Sequence, residues 1–182
     1  FDDYSYLLNK DKKYWEMILP NDAPKLRSIA MFYATLLMDA IRNCNIIEER
    51  KRQIKLLNEL ASECPDVPQV IICLAEALHN LSYKQDEQSV WKTIAHLQHL
   101  ADKHLDLPDI VIMLAKALFN LSKKKNEPNV RRAIAHLECL VAEYPDVPNL
   151  VIVLAKALYN LSQRQNEQDA QKKREKIRGM NT

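Results

Sequence analysis

Apolar positions along the chain fall into two alternating kinds of segment. The first kind is nearly continuous, as in Leu150-Val-Ile-Val-Leu-Ala-Lys-Ala-Leu158, where one lysine interrupts nine residues. A helix of that composition is apolar on most faces and must be covered on several sides. The second kind is striped. Val130, Ile134, Leu137 and Leu140 recur at helical spacing, while Arg131, Arg132 and Glu138 fall elsewhere on the wheel. Val90, Ile94, Leu97 and Leu100 draw the same stripe forty residues earlier. The pattern predicts buried helices alternating with amphipathic ones.

The alternation is a repeat. Pro68, Pro108 and Pro148 stand forty apart, as do the Asn-Leu-Ser triplets that begin at Asn80, Asn120 and Asn160. Residues 106–125 match 146–165 at twelve of twenty positions, and 66–85 match 146–165 at twelve as well. Each unit reads as two helices. The first begins at Asp-x-Pro, where the aspartate is expected to cap the open amides of the first turn and the proline has no amide to satisfy. It ends after Asn-Leu-Ser. A polar connector such as Lys123-Lys-Lys-Asn-Glu127 follows, with Asn126 or Asn129 to cap the second helix and Pro128 near its first turn.

The N-terminal third reads as a divergent copy, with helices over 24–43 and 47–63. Residues 1–23 form an extension with a short helix over 11–18. The units are then 24–64, 65–104, 105–144 and 145–182, within one domain overall. In the last unit residues 168–178 take the second-helix place, and Arg174 stands where Ile94 and Ile134 stood. That segment cannot bury the same stripe, so it is expected as a polar cap or a truncated stub.

In the third unit Val111, Leu114, Ala115 and Leu118 occupy the spacing W-x2-L-G-x2-Y, and Ala133, Leu137 and Pro145 the spacing A-x3-F followed by proline. The chain over 24–178 therefore resembles the tetratricopeptide family, with six extra residues between the helices and aliphatics or alanine for its tryptophan, glycine and tyrosine. Armadillo and HEAT repeats have a period nearer forty, and Ala-Leu-Phe-Asn-Leu-Ser is similar to armadillo sequence, but no third helix or turn glycine is evident. The resemblance implies an all-α solenoid of antiparallel helix pairs, about 3.5 repeats long. It also implies a non-catalytic scaffold that binds a protein or peptide on its concave, first-helix face. Carried over, that face holds Glu76, His79 and Asn80, then Lys116, Phe119 and Asn120, then Lys156, Tyr159 and Asn160. An asparagine amide can pair with a peptide backbone. The lysines favour an acidic segment, and the rings offer anchors. The asparagines have a competing structural use near the helix ends.

Composition narrows this. The one glycine, Gly179, leaves no glycine-rich phosphate loop and argues against hairpins. A net charge of +2 selects no class of partner. Basic clusters at 123–125, 131–132 and 172–178 keep a nucleic-acid-binding α-repeat as the alternative, although no basic stripe recurs in every unit. Cys44, Cys64, Cys73 and Cys139 have no metal or disulfide spacing, which suggests a reducing, cytoplasmic setting. His96 and His136 are repeat-equivalent and read as packing residues rather than ligands. No catalytic arrangement is legible, so no enzyme, cofactor or metal is expected. No apolar run reaches membrane-spanning length, and no membrane partner is expected. The open C-terminal end offers a third reading, self-association.

Overall fold

The computed structural model of the chain describes residues 23–124 and 126–179, with side chains between 27 and 172. Seven helices account for most of them: α1 (Ala23–Asn43), α2 (Ile47–Glu63), α3 (Pro68–Ser82), α4 (Glu87–Lys103), α5 (Pro108–Ser122), α6 (Glu127–Glu143) and α7 (Pro148–Gly179). No strand occurs among the described residues. The expected helix over 11–18 lies outside them. α1 and α2 coincide with the helices expected in the divergent first copy.

The turn that leads into each first helix is the same three times. Val67, Leu107 and Val147 donate their amides to the carbonyls of Cys64, His104 and Tyr144, at 3.1, 3.0 and 3.2 Å. Val70, Ile110 and Leu150 then donate to Val67, Leu107 and Val147 at 3.0 to 3.1 Å. Proline sits between, where an amide would have no partner. No residue described here has a positive φ, so the turns need no glycine. The expected aspartate cap is corrected. At α5 the capping position falls to Leu107, whose side chain makes no cap bond, and the aspartate stands one residue too early. Asp66 instead accepts from Arg27 Nε and Nη2 at 3.1 and 2.7 Å. The guanidinium holds its carboxyl below the usual range.

The second helices α4 and α6 carry side-chain caps, whereas α2, preceded by Ile46, has none. Asp86 accepts from the Ser89 amide at 3.0 Å and from its hydroxyl at 2.7 Å. Of the two candidates in the next copy, Asn126 is the cap, accepting from the Asn129 amide at 3.4 Å, with Pro128 in the first turn.

Packing divides the chain into two compact units, residues 1–81 and 82–182. In the first, α1 packs on α2, burying Ala34, Leu37, Ile41, Ile54 and Leu57. The Arg27–Asp66 pair ties α1 to the turn before α3, and the Arg42–Glu76 pair, at 2.8 Å, ties it to α3 itself.

In the second unit α5 is packed by α4, α6 and α7, and α6 packs on α7. Leu97, Leu114, Leu118, Leu121, Leu137 and Leu140 are almost fully buried. The sequence period reappears as the packing register. Asn120 Nδ2 donates to Ser82 Oγ at 2.9 Å, 38 residues away. Asn129 Nδ2 donates to Glu87 Oε2 at 2.6 Å across 42 residues. His136 Nε2 lies 3.1 Å from Gln98 Oε1 across 38. Arg132 stacks 4.3 Å from the Trp91 ring. Each joins one copy to the next, the nearest-neighbour arrangement of a helical repeat.

The last copy departs from the others. No break follows Asn160-Leu-Ser, and α7 continues as one 32-residue helix. The second helix expected at 168–178 is therefore the distal end of α7. The reason is packing. In earlier copies a turn lets Val90 or Val130 and the rest of its stripe fold back and become buried. Residues 168–178 carry no such stripe, so reversing the chain would gain nothing. Continuing the helix keeps every backbone bond.

Candidate binding surface on the first helices

The nine expected residues divide between the two units. Glu76, His79 and Asn80 belong to the first. Glu76 is half-buried and committed to Arg42, whose pKa it raises through the hydrogen bond and their opposite charges. His79 is buried and Asn80 half-buried. Of the three, Glu76 is held in an ion pair and His79 is buried, which leaves Asn80 the most accessible.

The other six lie on α5 and α7, which pack against each other. Lys116 is half-buried and Lys156 exposed. Among the described residues neither makes an ion pair. Phe119 is half-buried, and one face of its ring is taken by Lys123 Nζ at 4.1 Å, a cation–π contact. Tyr159, its equivalent on α7, is 63% exposed. Asn120 is only 3% exposed and bonds Ser82, so its role is within the fold. Asn160 is half-buried. The asparagine ladder thus serves the packing at Asn120, while Asn80 and Asn160 are both half-buried.

Sequence reasoning missed the basic residues two positions after each Asn-Leu-Ser triplet. Lys124 Nζ donates to the Gln85 carbonyl at 3.1 Å. Arg164, its equivalent forty residues on, donates through Nη1 to the Lys124 carbonyl at 2.5 Å and through Nη2 to the Lys123 carbonyl. A cation placed beyond a helix C-terminus satisfies open carbonyls and complements the helix dipole. The recurrence of a base at Lys84, Lys124 and Arg164 was visible in the sequence, but Lys123-Lys-Lys125 reads there as a solvated run.

His96 and His136 are half-buried, and burial lowers the pKa of both. Among the described residues no three His, Cys, Asp or Glu side chains converge as metal ligands would. No helix there is long and apolar enough to cross a membrane. Cys73 is buried and acts as a small apolar side chain, and its thiol is pushed up by that burial.

What remains open on this surface is a pair of uncommitted lysines one repeat apart, with an exposed tyrosine beside the second. The class the fold defines is a helical repeat of all-α packing. No protein-family model, curated protein or solved structure matches this chain.

Proposed function

We propose that the chain is a non-catalytic, tetratricopeptide-like binding module, a solenoid of antiparallel helix pairs that holds an acidic peptide segment along its first helices. The observation that carries the reading is the pair Lys116 and Lys156. They are repeat-equivalent, sit on helices that pack together, and are unpaired among the described residues. Packed helices stand about 8–10 Å apart. A peptide in the extended polyproline-II conformation has three residues per turn and advances about 3.1 Å per residue, so side chains three apart return to the same face about 9 Å further on. Two acidic side chains about three residues apart on an extended segment therefore match the two ammonium groups. Tyr159 adds an exposed ring beside them. The other bases favour this reading over nucleic acid, because Lys124, Arg131, Arg132 and Arg164 are already engaged within the fold.

The test is fluorescence anisotropy with a labelled peptide bearing two aspartates three residues apart, beside a control with both replaced by asparagine. The aspartate peptide should bind, weaken as salt rises, and lose binding to the Lys116→Glu/Lys156→Glu variant while the circular-dichroism melt stays unchanged. Equal binding of the two peptides would remove the acidic-segment reading.

A further inference from the structure

The outer face of α7 carries a second surface, distinct in chemistry from the lysine pair. Val151 is 53% exposed, Ile152 51% and Leu158 43%. Ala155 is exposed between them. On α5 the equivalents Val111, Ala115 and Leu118 are 2%, 0% and 0% exposed. The two helices are nearly identical over this stretch, so the difference is one of neighbours. α5 is packed by α4, α6 and α7, whereas α7 is packed by α5 and α6. The face that a further copy of the repeat covers on α5 is thus present and uncovered on α7. α7 also runs straight on to Gly179 and does not turn back over it.

We infer that this face docks a second copy of the chain, the two α7 helices crossing antiparallel about a two-fold axis at Ala155. The face is built symmetrically about that residue. At 100° per residue, Val151 and Tyr159 lie four positions either side of Ala155, and Ile152 and Leu158 three either side. Antiparallel pairing at Ala155 sets Val151 against Tyr159 of the second copy and Ile152 against its Leu158. The small alanine lets the backbones approach. Lys156 projects to the side, at the rim, so no charge is buried. A self-complementary patch of this kind is what a two-fold interface requires.

The four large side chains expose on the order of 400 Å² on each copy, the size of the largest apolar patch on an ordinary monomer. Two such patches total about 800 Å² before the rim is added, short of the roughly 1,200 Å² of a standard interface, so the contact is of the weak, transient kind. The dimer should therefore dissociate at roughly tens to hundreds of micromolar concentration.

Sedimentation velocity across that range tests the inference. The wild-type chain should pass from monomer to dimer and stop there. Leu158→Asp, at a half-exposed position outside the lysine pair, should remain monomeric throughout with an unchanged melt in dilute solution. In a Cys139→Ser background, which removes an exposed thiol, Ala155→Cys should form a disulfide-linked dimer on mild oxidation. A wild-type monomer at the highest concentration overturns the inference and leaves the face to another protein. Growth beyond dimer overturns the two-fold arrangement, as does a dimer indifferent to Leu158→Asp or an Ala155→Cys variant that does not cross-link. None of these outcomes depends on whether the aspartate peptide binds.

Discussion

Asn120 and Asn160 stand at the same place in the repeat, yet replacing each with alanine should have different consequences. Asn120 is 3% exposed and its Nδ2 donates to Ser82 Oγ at 2.9 Å. Losing a neutral buried hydrogen bond costs about 1 kcal/mol net. Truncating the amide also leaves a void of roughly 30 Å³, which at about 24 cal/mol per Å³ adds about 0.7 kcal/mol. One gain opposes these. Asn120 Oδ1 is buried without a hydrogen-bond partner, and removing it recovers a few tenths of a kcal/mol to about 1 kcal/mol. The balance is a loss of about 0.7–1.4 kcal/mol, which for a chain of this size lowers the melting temperature by about 1–6 °C. Asn160 is half-buried and makes no side-chain bond among the described residues, so its replacement should stay within about 0.5 kcal/mol.

Urea denaturation followed by circular dichroism measures both, provided the m-value is unchanged. A double-mutant cycle with Ser82→Ala isolates the bond itself. The coupling should be about 0.5–1.5 kcal/mol, and Ser82→Ala with Asn160→Ala should show none. If Asn120→Ala proves as mild as Asn160→Ala, or the Ser82–Asn120 coupling is absent, the buried bond is not what this asparagine contributes. The ladder would then return to the list of binding residues.

Other outcomes follow from the same contrasts. Val111→Ala, at a position 2% exposed, should cost about 2 kcal/mol, whereas Val151→Ala, 53% exposed, should cost less than about 0.5 kcal/mol in dilute solution; equal costs would mean the α7 face is covered. Burial depresses the pKa of His96 and His136, so the folded chain resists protonating them. Their contribution is present above the unfolded value near 6.5 and is lost as pH falls below it. Melting temperature should drop between about pH 7.5 and about pH 5.5, and the drop should shrink in His96→Gln/His136→Gln; parallel pH profiles would rule this out. Arg164→Ala removes two donors from the carbonyls of Lys123 and Lys124 and should cost about 1 kcal/mol, with Arg164→Lys recovering part of it. An unchanged urea midpoint in the alanine variant would place Arg164 outside the capping role.

Most helix boundaries were legible because they rest on local chemistry. Pro68, Pro108 and Pro148 open helices where no amide is needed, and Asp86 and Asn126 cap the starts of others with short acceptors. The aspartate of Asp-x-Pro was misread because cap and turn chemistry favour the same residues, and only the backbone register separates position 106 from 107. The candidate surface was less legible. Whether Asn120 faces a groove or Ser82, and whether Glu76 is open or held by Arg42, depends on residues 34 to 38 positions away. A helical wheel contains no such information.

The end of the chain exposes the deeper limit of reading a repeat from one copy. Residues 106–122 and 146–162 are nearly the same sequence, yet Ser122 closes α5 while Ser162 lies inside α7. The local signals do not differ enough to decide this. Lys123-Lys124 and Gln163-Arg164 are both compatible with helix, and the connector after Ser82 turns without the proline found after Ser122. What differs is the segment beyond. Residues 130–140 present Val130, Ile134, Leu137 and Leu140, each at most 5% exposed once folded back, which at roughly 1.5–3 kcal/mol per side chain outweighs breaking a few helical bonds. Residues 170–180 have no comparable stripe to bury. The stop at Asn-Leu-Ser is therefore a permission that the downstream helix uses or declines. On this reasoning, placing Val, Ile, Leu and Leu at 170, 174, 177 and 180 should bend α7 at Ser162 and cover part of the face around Ala155. Deuterium exchange at the amides of 163–167 should then rise. A variant that keeps those amides as protected as wild type would show that the helix continues for its own local reasons.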